Sequence, residues 1–246
     1  MKVLGIDIGG SGIKGAPVDT DTGKLLDARF RLPTPSPAKP RPVAEVVGEI
    51  ADHFKWKGHL GIGFPGVVRK GTTWTAANIH DDWVGLNAGK HIKKITGRKV
   101  CIINDADAAG LAEMAFGAGK DRQGVVLLIT IGTGLGIALF TDGYLLPNCE
   151  MGHLEMEGVD AEWYASDAAR KREKLSWKKW GQRFNQYLTT MERLLWPDLI
   201  ILGGGISKKF KLYKPYITVQ AEVLPARMLN NAGIVGAALG ACQYGK

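Results

Sequence analysis

Short apolar runs ending in glycine alternate along the chain with longer stretches of helical spacing. Residues 3–8 read as a buried strand, Gly9, Gly10, Ser11 and Gly12 as a turn, residues 13–18 as a return strand and residues 24–32 as a third, an antiparallel meander. Residues 33–42 hold five of the 11 prolines and predict a stiff, extended connector. Val46, Val47, Ile50 and Phe54 then recur at helical spacing, which predicts a helix over 43–54. Further strands are expected at 60–64, 100–103, 125–130, 136–140 and 199–202. Helices are expected at 86–95, 106–116, 160–170, 176–195 and 232–243. Strands and helices interleave, so the class is α/β.

One design occurs twice. Gly5-Ile-Asp-Ile-Gly-Gly-Ser-Gly-Ile-Lys14 and Ile129-Thr-Ile-Gly-Thr-Gly-Leu-Gly-Ile137 are each an apolar strand, a glycine-rich turn bearing a hydroxyl, and a second strand. Two related lobes, each offering one such turn to a central cleft, is the simple reading.

Composition narrows the class. The chain has 246 residues, 45% apolar and 23% charged, which suits one large domain or two lobes and argues against disorder. The 33 glycines are about twice the usual share and follow no period of three, so they mark tight turns. Three scattered cysteines, Cys101, Cys149 and Cys242, build neither a disulfide framework nor a zinc spacing, which points to a reducing compartment. Lys2 and Asp7 interrupt the N-terminal run, so no signal peptide is expected, and glycines 132, 134 and 136 break up the most apolar stretch, so no bilayer span is expected. A cytoplasmic, soluble protein without a membrane partner is the expectation.

The net charge of +8 is local. Residues 170–183 carry +6 and residues 208–214 carry +4, so the rest of the chain is slightly acidic. Concentrated positive charge expects an anionic partner. Trp177 and Trp180 within the first stretch allow single-stranded nucleic acid as one reading and a solvated helix face as the other.

The candidate chemistry has paired readings. The turn at Gly9–Ser11 with Gly12 and Lys14 cradles phosphate through backbone N–H groups, or is a plain hairpin turn; the same holds for Gly132, Thr133 and Gly134. No P-loop pattern is present, and a strand rather than a helix follows the first turn, which argues against a dinucleotide fingerprint. Asp7 at the end of a buried strand needs a cation or donors, and Mg²⁺, directly or through water, fits. Asn104-Asp105 joins a strand to a helix: Asp105 caps the helix, or orients a hydroxyl and accepts its proton in phosphoryl transfer, or does both. Glu150, His153 and Glu162 offer acceptors and an imidazole of the kind a polyol needs. Gly203, Gly204 and Gly205 end a strand and could hold more phosphate. Residues 233–239 read as close helix packing or as part of a nucleotide site.

Residues 5–15, Gly61-Ile-Gly-Phe-Pro-Gly66, Asn104-Asp105-Ala-Asp-Ala-Ala109, residues 131–136, Glu150-Met-Gly-His153 and residues 202–207, in that order, resemble the ROK family of sugar kinases. The resemblance implies a two-lobed actin-like ATPase (ribonuclease H-like) fold with a cleft between lobes. The lobes implied are 1–106 plus 232–246, and 107–231. Many members carry a cysteine-rich zinc motif after the Glu-x-Gly-His segment; residues 158–166 replace it without cysteine, so no zinc site is expected. In this the chain is similar to the zinc-less members that use polyphosphate. That resemblance implies phosphoryl transfer from inorganic polyphosphate, and from ATP, to the 6-hydroxyl of glucose, with Mg²⁺ as cofactor and a homodimer as the assembly. The alternative within the family is an ATP-only hexokinase for glucose and mannose; more distant is a non-catalytic sugar-responsive or nucleic-acid-binding protein. A regulator is expected to need a DNA-binding module before the first strand, which begins at residue 2, and is disfavoured; a nucleic-acid binder using the basic stretch leaves the paired glycine turns and Asn104-Asp105 unexplained.

The resemblance assigns Asp105 as the base. Gly66, Asn78, Asn104, Glu150, His153 and Glu162 bind the sugar. Gly9, Gly10, Ser11, Gly12, Lys14, Gly132, Thr133, Gly134, Gly203, Gly204 and Gly205 hold the donor phosphates, and Asp7 holds Mg²⁺. Arg170, Lys171, Arg172, Lys178, Lys179, Lys208 and Lys209 form an expected polyphosphate path, since rows of cations track a polyanion.

Overall fold

The computed structural model describes residues 1–244. The chain divides into two compact units, Met1–Ala112 with the segment from Asn231 onward, and Glu113–Asn230.

In the first unit β1 (Lys2–Ile8) sends Leu4, Ile6 and Ile8 into one core and leaves Gly5 and Asp7 on the opposite face, the period-two alternation of a strand. It pairs antiparallel with β2 (Ile13–Asp19). The expected third strand is two short pieces, β3 (Lys24–Leu25) and β4 (Phe30–Leu32), both paired with β2. The proline connector is shorter than expected. α1 (Pro40–His53) starts inside it, because proline fits a first helical turn, where its missing N–H has no partner to lose. Val43, Val47 and Ile50 of α1 pack on the Leu4, Ile6 and Ile8 face.

β5 (Leu60–Phe64) is parallel to β1. The small hairpin β6 (Val68–Arg69) and β7 (Thr72–Thr73) leads to α2 (Ala88–Thr96), which Asn87 caps, and to β8 (Val100–Asn104), parallel to β5. The sheet order is β3-β2-β1-β5-β8, with β4 beside β2. α3 (Asp105–Phe116) follows β8 directly, and the boundary between units falls inside it.

The second unit repeats that order. β9 (Val125–Ile131), β10 (Leu135–Thr141) and β11 (Tyr144–Leu146) form the antiparallel meander. A two-stranded hairpin, β12 (Glu155–Met156) and β13 (Val159–Asp160), comes next. The single helix expected at 160–170 is two helices, α4 (Ala161–Ala165) and α5 (Asp167–Arg172). Ser166 divides them, its hydroxyl accepting the Ala169 N–H at 3.2 Å. α6 (Trp177–Leu195) begins at its Ser176 cap, as the sequence predicts, and buries Trp180, Phe184, Tyr187, Leu188 and Met191. β14 (Leu199–Gly203) lies parallel to β9, and after the short α7 (Phe210–Tyr213), β15 (Glu222–Pro225) lies parallel to β14. The order β11-β10-β9-β14-β15 mirrors that of the first sheet.

α8 (Ala232–Tyr244) returns to the first unit and decides its packing. Gly5, Gly61 and Cys101 are in register across β1, β5 and β8. A methyl group on Gly5 would overlap the Ile234 carbonyl oxygen, and one on Gly61 the Ala237 carbonyl oxygen. The Cys101 thiol reaches the Gly240 carbonyl at 3.5 Å. Gly236, between them, has the Ala108 backbone of α3 against it. The helix therefore lies backbone on backbone across three strands, and the small residues at 232–243 are a packing device.

Replacing Gly61 with Val is expected to destabilise the protein by about 3 kcal/mol, because the overlap is with backbone and no rotamer relieves it. Gly205, which has open space around it, should tolerate Ala within about 0.5 kcal/mol. Urea unfolding of both variants checks this; equal midpoints would refute the close approach.

Candidate active site

The first unit gathers Asp7, the turn at residues 9–12 and Asp105 around its glycine face. Asp7 is the register partner of Lys14, and its Oδ2 lies 3.0 Å from the Lys14 ammonium. The cation that a carboxylate at a strand end requires is thus supplied within the hairpin. The same oxygen would stand 2.5 Å from a Cβ on Gly233, in the first turn of α8. Gly63 is the register partner of Asp7, and a Cβ there would lie 3.6 Å from the Cα of Asp105. Asp7 and Asp105 therefore flank one glycine.

Three groups hold the turn itself. Arg31 donates to the Ser11 carbonyl at 2.9 Å, Thr34 donates to the Gly9 carbonyl at 2.5 Å, and the backbone of Asn78 lies against Gly10. Gly9 N–H closes the turn onto the Gly12 carbonyl at 3.1 Å. Asn78 is exposed, with φ of 56°.

Asn104 rather than Asp105 caps α3. Its Oδ1 accepts the N–H groups of Ala106 at 2.8 Å and Asp107 at 3.0 Å, and its Nδ2 donates to the Gly66 carbonyl at 3.1 Å. The buried Asn104 amide thus ties the strand end, the Gly66 loop and the helix start together. Asp105 takes the first helical position, half-buried, with Oδ1 2.8 Å from Ala106 N–H.

The second unit gathers the remaining glycine turns around Glu162. Gly132 N–H closes the β9–β10 turn onto the Gly134 carbonyl at 3.0 Å, with Thr133 exposed at its tip. Gly204, with φ of 77°, sits directly on the backbone of Ile131, so the turn at Gly203, Gly204 and Gly205 adjoins that at Gly132. A Cβ on Gly134 would overlap Glu162 Oε2, which accepts the Leu135 N–H at 3.4 Å. On the segment before it, His153 Nδ1 lies 2.8 Å from Asp160 Oδ2, and His153 Nε2 lies 3.7 Å from Glu150 Oε2. Burial raises the Glu150 carboxyl above its ordinary range, against the pull of His153 and with help from the charge of Glu162. The hydrogen bond to Asp160 raises His153, against burial and with the charges of Glu162 and Glu150.

His153, Asp160 and Glu162 each offer one ligand atom, all within 4.8 Å of one another. This donor set is one imidazole nitrogen and two carboxylates, without thiolate. Asp160 is the side chain here that sequence reasoning missed, since an Asp just before a helix reads as a cap.

The basic stretch splits into two groups. Arg170 and Lys171 both pair with Asp167, at 2.8 and 2.7 Å, and Arg170 stacks on Trp177. Arg172 pairs with Glu173 at 2.9 Å and lies over Trp163. These three are partly neutralised within their own segment. Among the described residues Lys178, Lys179, Lys208 and Lys209 are exposed and form no ion pair. Trp180 is fully buried, its indole N–H donating to the Ala165 carbonyl at 3.0 Å, and its ring stacks on Phe184. An aromatic turned into the core offers no stacking platform for bases, which counts against the nucleic-acid reading.

The ROK family model matches residues 3–171. The polyphosphate glucokinase of Mycobacterium tuberculosis is 47% identical over 237 residues, covering 96% of this chain and 89% of that protein. The crystal structure of an inorganic polyphosphate/ATP-glucomannokinase from Arthrobacter sp. strain KM superposes with a TM-score of 0.94 at 45% identity, over 99% of both chains. A ROK glucokinase from Streptomyces griseus, solved with glucose and AMPPNP, shares the fold at a TM-score of 0.83 and 24% identity, over 99% of this chain and all of that one.

The Asp167 pairing yields a test on stability. Burial opposes the charged carboxylate, but hydrogen bonds from Lys171 and Arg170 prevail and hold its pKa below the ordinary aspartate value. Its stabilisation is therefore complete above that ordinary value of about 4 and fades as pH falls through the lowered one. Asp167→Asn should cost about 1 kcal/mol in urea unfolding at pH 7 and markedly less at pH 3. An equal deficit at both pH values would refute the ion-pair account.

Proposed function

The chain belongs to the ROK family, and we propose that it is a glucokinase that transfers a phosphoryl group from inorganic polyphosphate, and from ATP, to the 6-hydroxyl of glucose. The observation that carries this is the 47% identity to a polyphosphate glucokinase over 96% of the chain. The name of the Arthrobacter relative favours mannose as a second acceptor.

On this reading Asp105 accepts the proton of the 6-hydroxyl as its oxygen attacks the terminal phosphorus, and the donor leaves one phosphate shorter. Asn104 positions Asp105 and Gly66 through its three hydrogen bonds. Glu150, His153 and Glu162 bind sugar hydroxyls, with Gly66 and Asn78 as further contacts. Backbone N–H groups at residues 9–12, 132–134 and 203–205, with Lys14, hold the donor phosphates. Asp7 fits Mg²⁺ best through water, because its carboxylate already meets the Lys14 ammonium. Magnesium there would neutralise charge on the donor phosphates. The protein acts in the cytoplasm as a homodimer; no helix among the described residues is long and apolar enough to cross a membrane.

Asp105→Asn should lower kcat by about 10²–10⁴-fold while glucose binding changes little, since the amide keeps the size of the carboxylate but cannot take the proton. A coupled assay with each donor, run beside glucose titration calorimetry, checks this. More than about a tenth of wild-type kcat would remove Asp105 from the role.

The free lysines bear on the donor. Replacing Lys178, Lys179, Lys208 and Lys209 with Ala should raise KM for long polyphosphate and flatten its salt dependence, and should leave KM for ATP nearly unchanged. Kinetics with both donors at rising salt test this. Parallel losses with both donors would mean a shared phosphate site, and no loss would make these lysines a solvated face.

A further inference from the structure

We infer that Asp160 is a positioning residue for sugar binding, fixing His153 through its Nδ1 so that Nε2 and the Glu150 carboxylate together grip one hydroxyl group. The inference rests on the hexose-kinase reading of the segment and adds a residue to it.

Asp160 stands at the position before α4 where an aspartate ordinarily caps, yet its side chain makes no capping bond there. The carboxylate is turned instead to His153, with Oδ2 2.8 Å from Nδ1. The short hairpin of β12 and β13 brings the two together, pairing Glu155 with Asp160, and Ala161 N–H closes it onto the Leu154 carbonyl at 2.8 Å. Two residues on, Glu162 reaches the Gly134 turn. One short segment thus sends alternate carboxylates to His153, in the sugar-binding group, and to the Gly134 turn.

The bond decides what the other ring nitrogen can do. With Nδ1–H donated to Asp160, the neutral ring has its lone pair on Nε2, and the protonated ring has a second donor there. Nε2 lies 3.7 Å from Glu150 Oε2, too far for a hydrogen bond between them. A single hydroxyl oxygen can span that gap with a hydrogen bond of ordinary length to each. It would accept from the protonated imidazole and donate to Glu150. The charged groups facing His153 are Asp160, Glu162 and Glu150, all acidic, which favours the protonated ring.

The test uses Asp160→Ala and Asp160→Asn in the full chain, with wild type alongside. Asp160→Ala should raise KM for glucose about tenfold or more, with a much smaller fall in kcat. Asp160→Asn keeps an acceptor for Nδ1–H and should recover most of that loss. The His153 imidazole, followed by nitrogen NMR, should carry its proton on Nδ1 when neutral in wild type and titrate at lower pH in both variants. A wild-type glucose KM in Asp160→Ala, an Asn variant no better than Ala, or an unmoved His153 titration would each overturn the inference. So would wild-type activity abolished by a zinc-selective chelator and restored by zinc, which would put a metal where the proton is placed. Absence of glucose phosphorylation by wild type with either donor would overturn the kinase reading instead, while the NMR titration still decides the Asp160–His153 pairing.

Discussion

The first unit depends on the contact of α8 with its sheet. Gly5 and Gly61 let the helix backbone rest on β1 and β5, and Gly236 lets the N-terminal part of α3 rest on the helix. Any side chain at these positions would lift one layer from another, and close-packed interiors absorb such shifts poorly. The chemistry inherits its geometry from this contact. Asp7 shares the face of Gly5, two residues on, and meets the first turn of α8 at Gly233; Gly63 shares the face of Gly61 and adjoins Asp105. The glycines that set the layer spacing thus leave the two carboxylates room on the same face.

The second unit solves the same problem differently. Its glycine turns adjoin because β9 and β14 are parallel neighbours whose ends coincide, with Gly203 opposite Thr130 and Gly204 on Ile131. The buried Glu113 adds a polar clasp: its two oxygens accept the N–H groups of Ala118 at 2.8 Å, Arg227 at 3.1 Å and Met228 at 2.7 Å. A fully buried carboxylate is tolerable only with such a set of donors. It ties the chain beyond β15, just before it leaves the unit, to the helix by which the chain entered.

The strands and the twin glycine turns were legible because burial imposes period two on strands and tight turns demand glycine. α6 was legible from its Ser176 cap and its apolar spacing. The breaks were not: Ser166 divides a helical pattern through a cap whose signal is one hydroxyl, and β3 and β4 are separate because only the two ends of the 24–32 run pair with β2. β11 and β15 were missed because short strands at sheet edges carry little periodicity. Among the candidate site residues, types and order were readable but partners were not. Asp105 read as cap or base and Asn104 as a sugar ligand, yet Asn104 is the cap, because its side chain accepts the N–H groups of both Ala106 and Asp107. Asp160 read only as a helix start and Glu113 only as a helix position, since the fold and not the neighbouring sequence decides which groups each carboxylate meets.

The distribution of charge completes the physical picture of the proposed function. A hexose is neutral and compact, so recognising it requires directional groups held still. Glu162 is fixed by the Gly134 turn and Leu135 N–H, and His153 by Asp160, before any sugar arrives. A polyphosphate is flexible, long and uniformly charged, and needs charge density more than direction. Arg170, Lys171 and Arg172 have part of their charge offset by Asp167 and Glu173. Lys178 and Lys179 on α6, with Lys208 and Lys209 just beyond Gly203–Gly205, keep theirs. The fixed acceptors and the exposed lysines are thus different sets of side chains, matched on the proposed reading to an acceptor that must be oriented and a donor that must only be gathered.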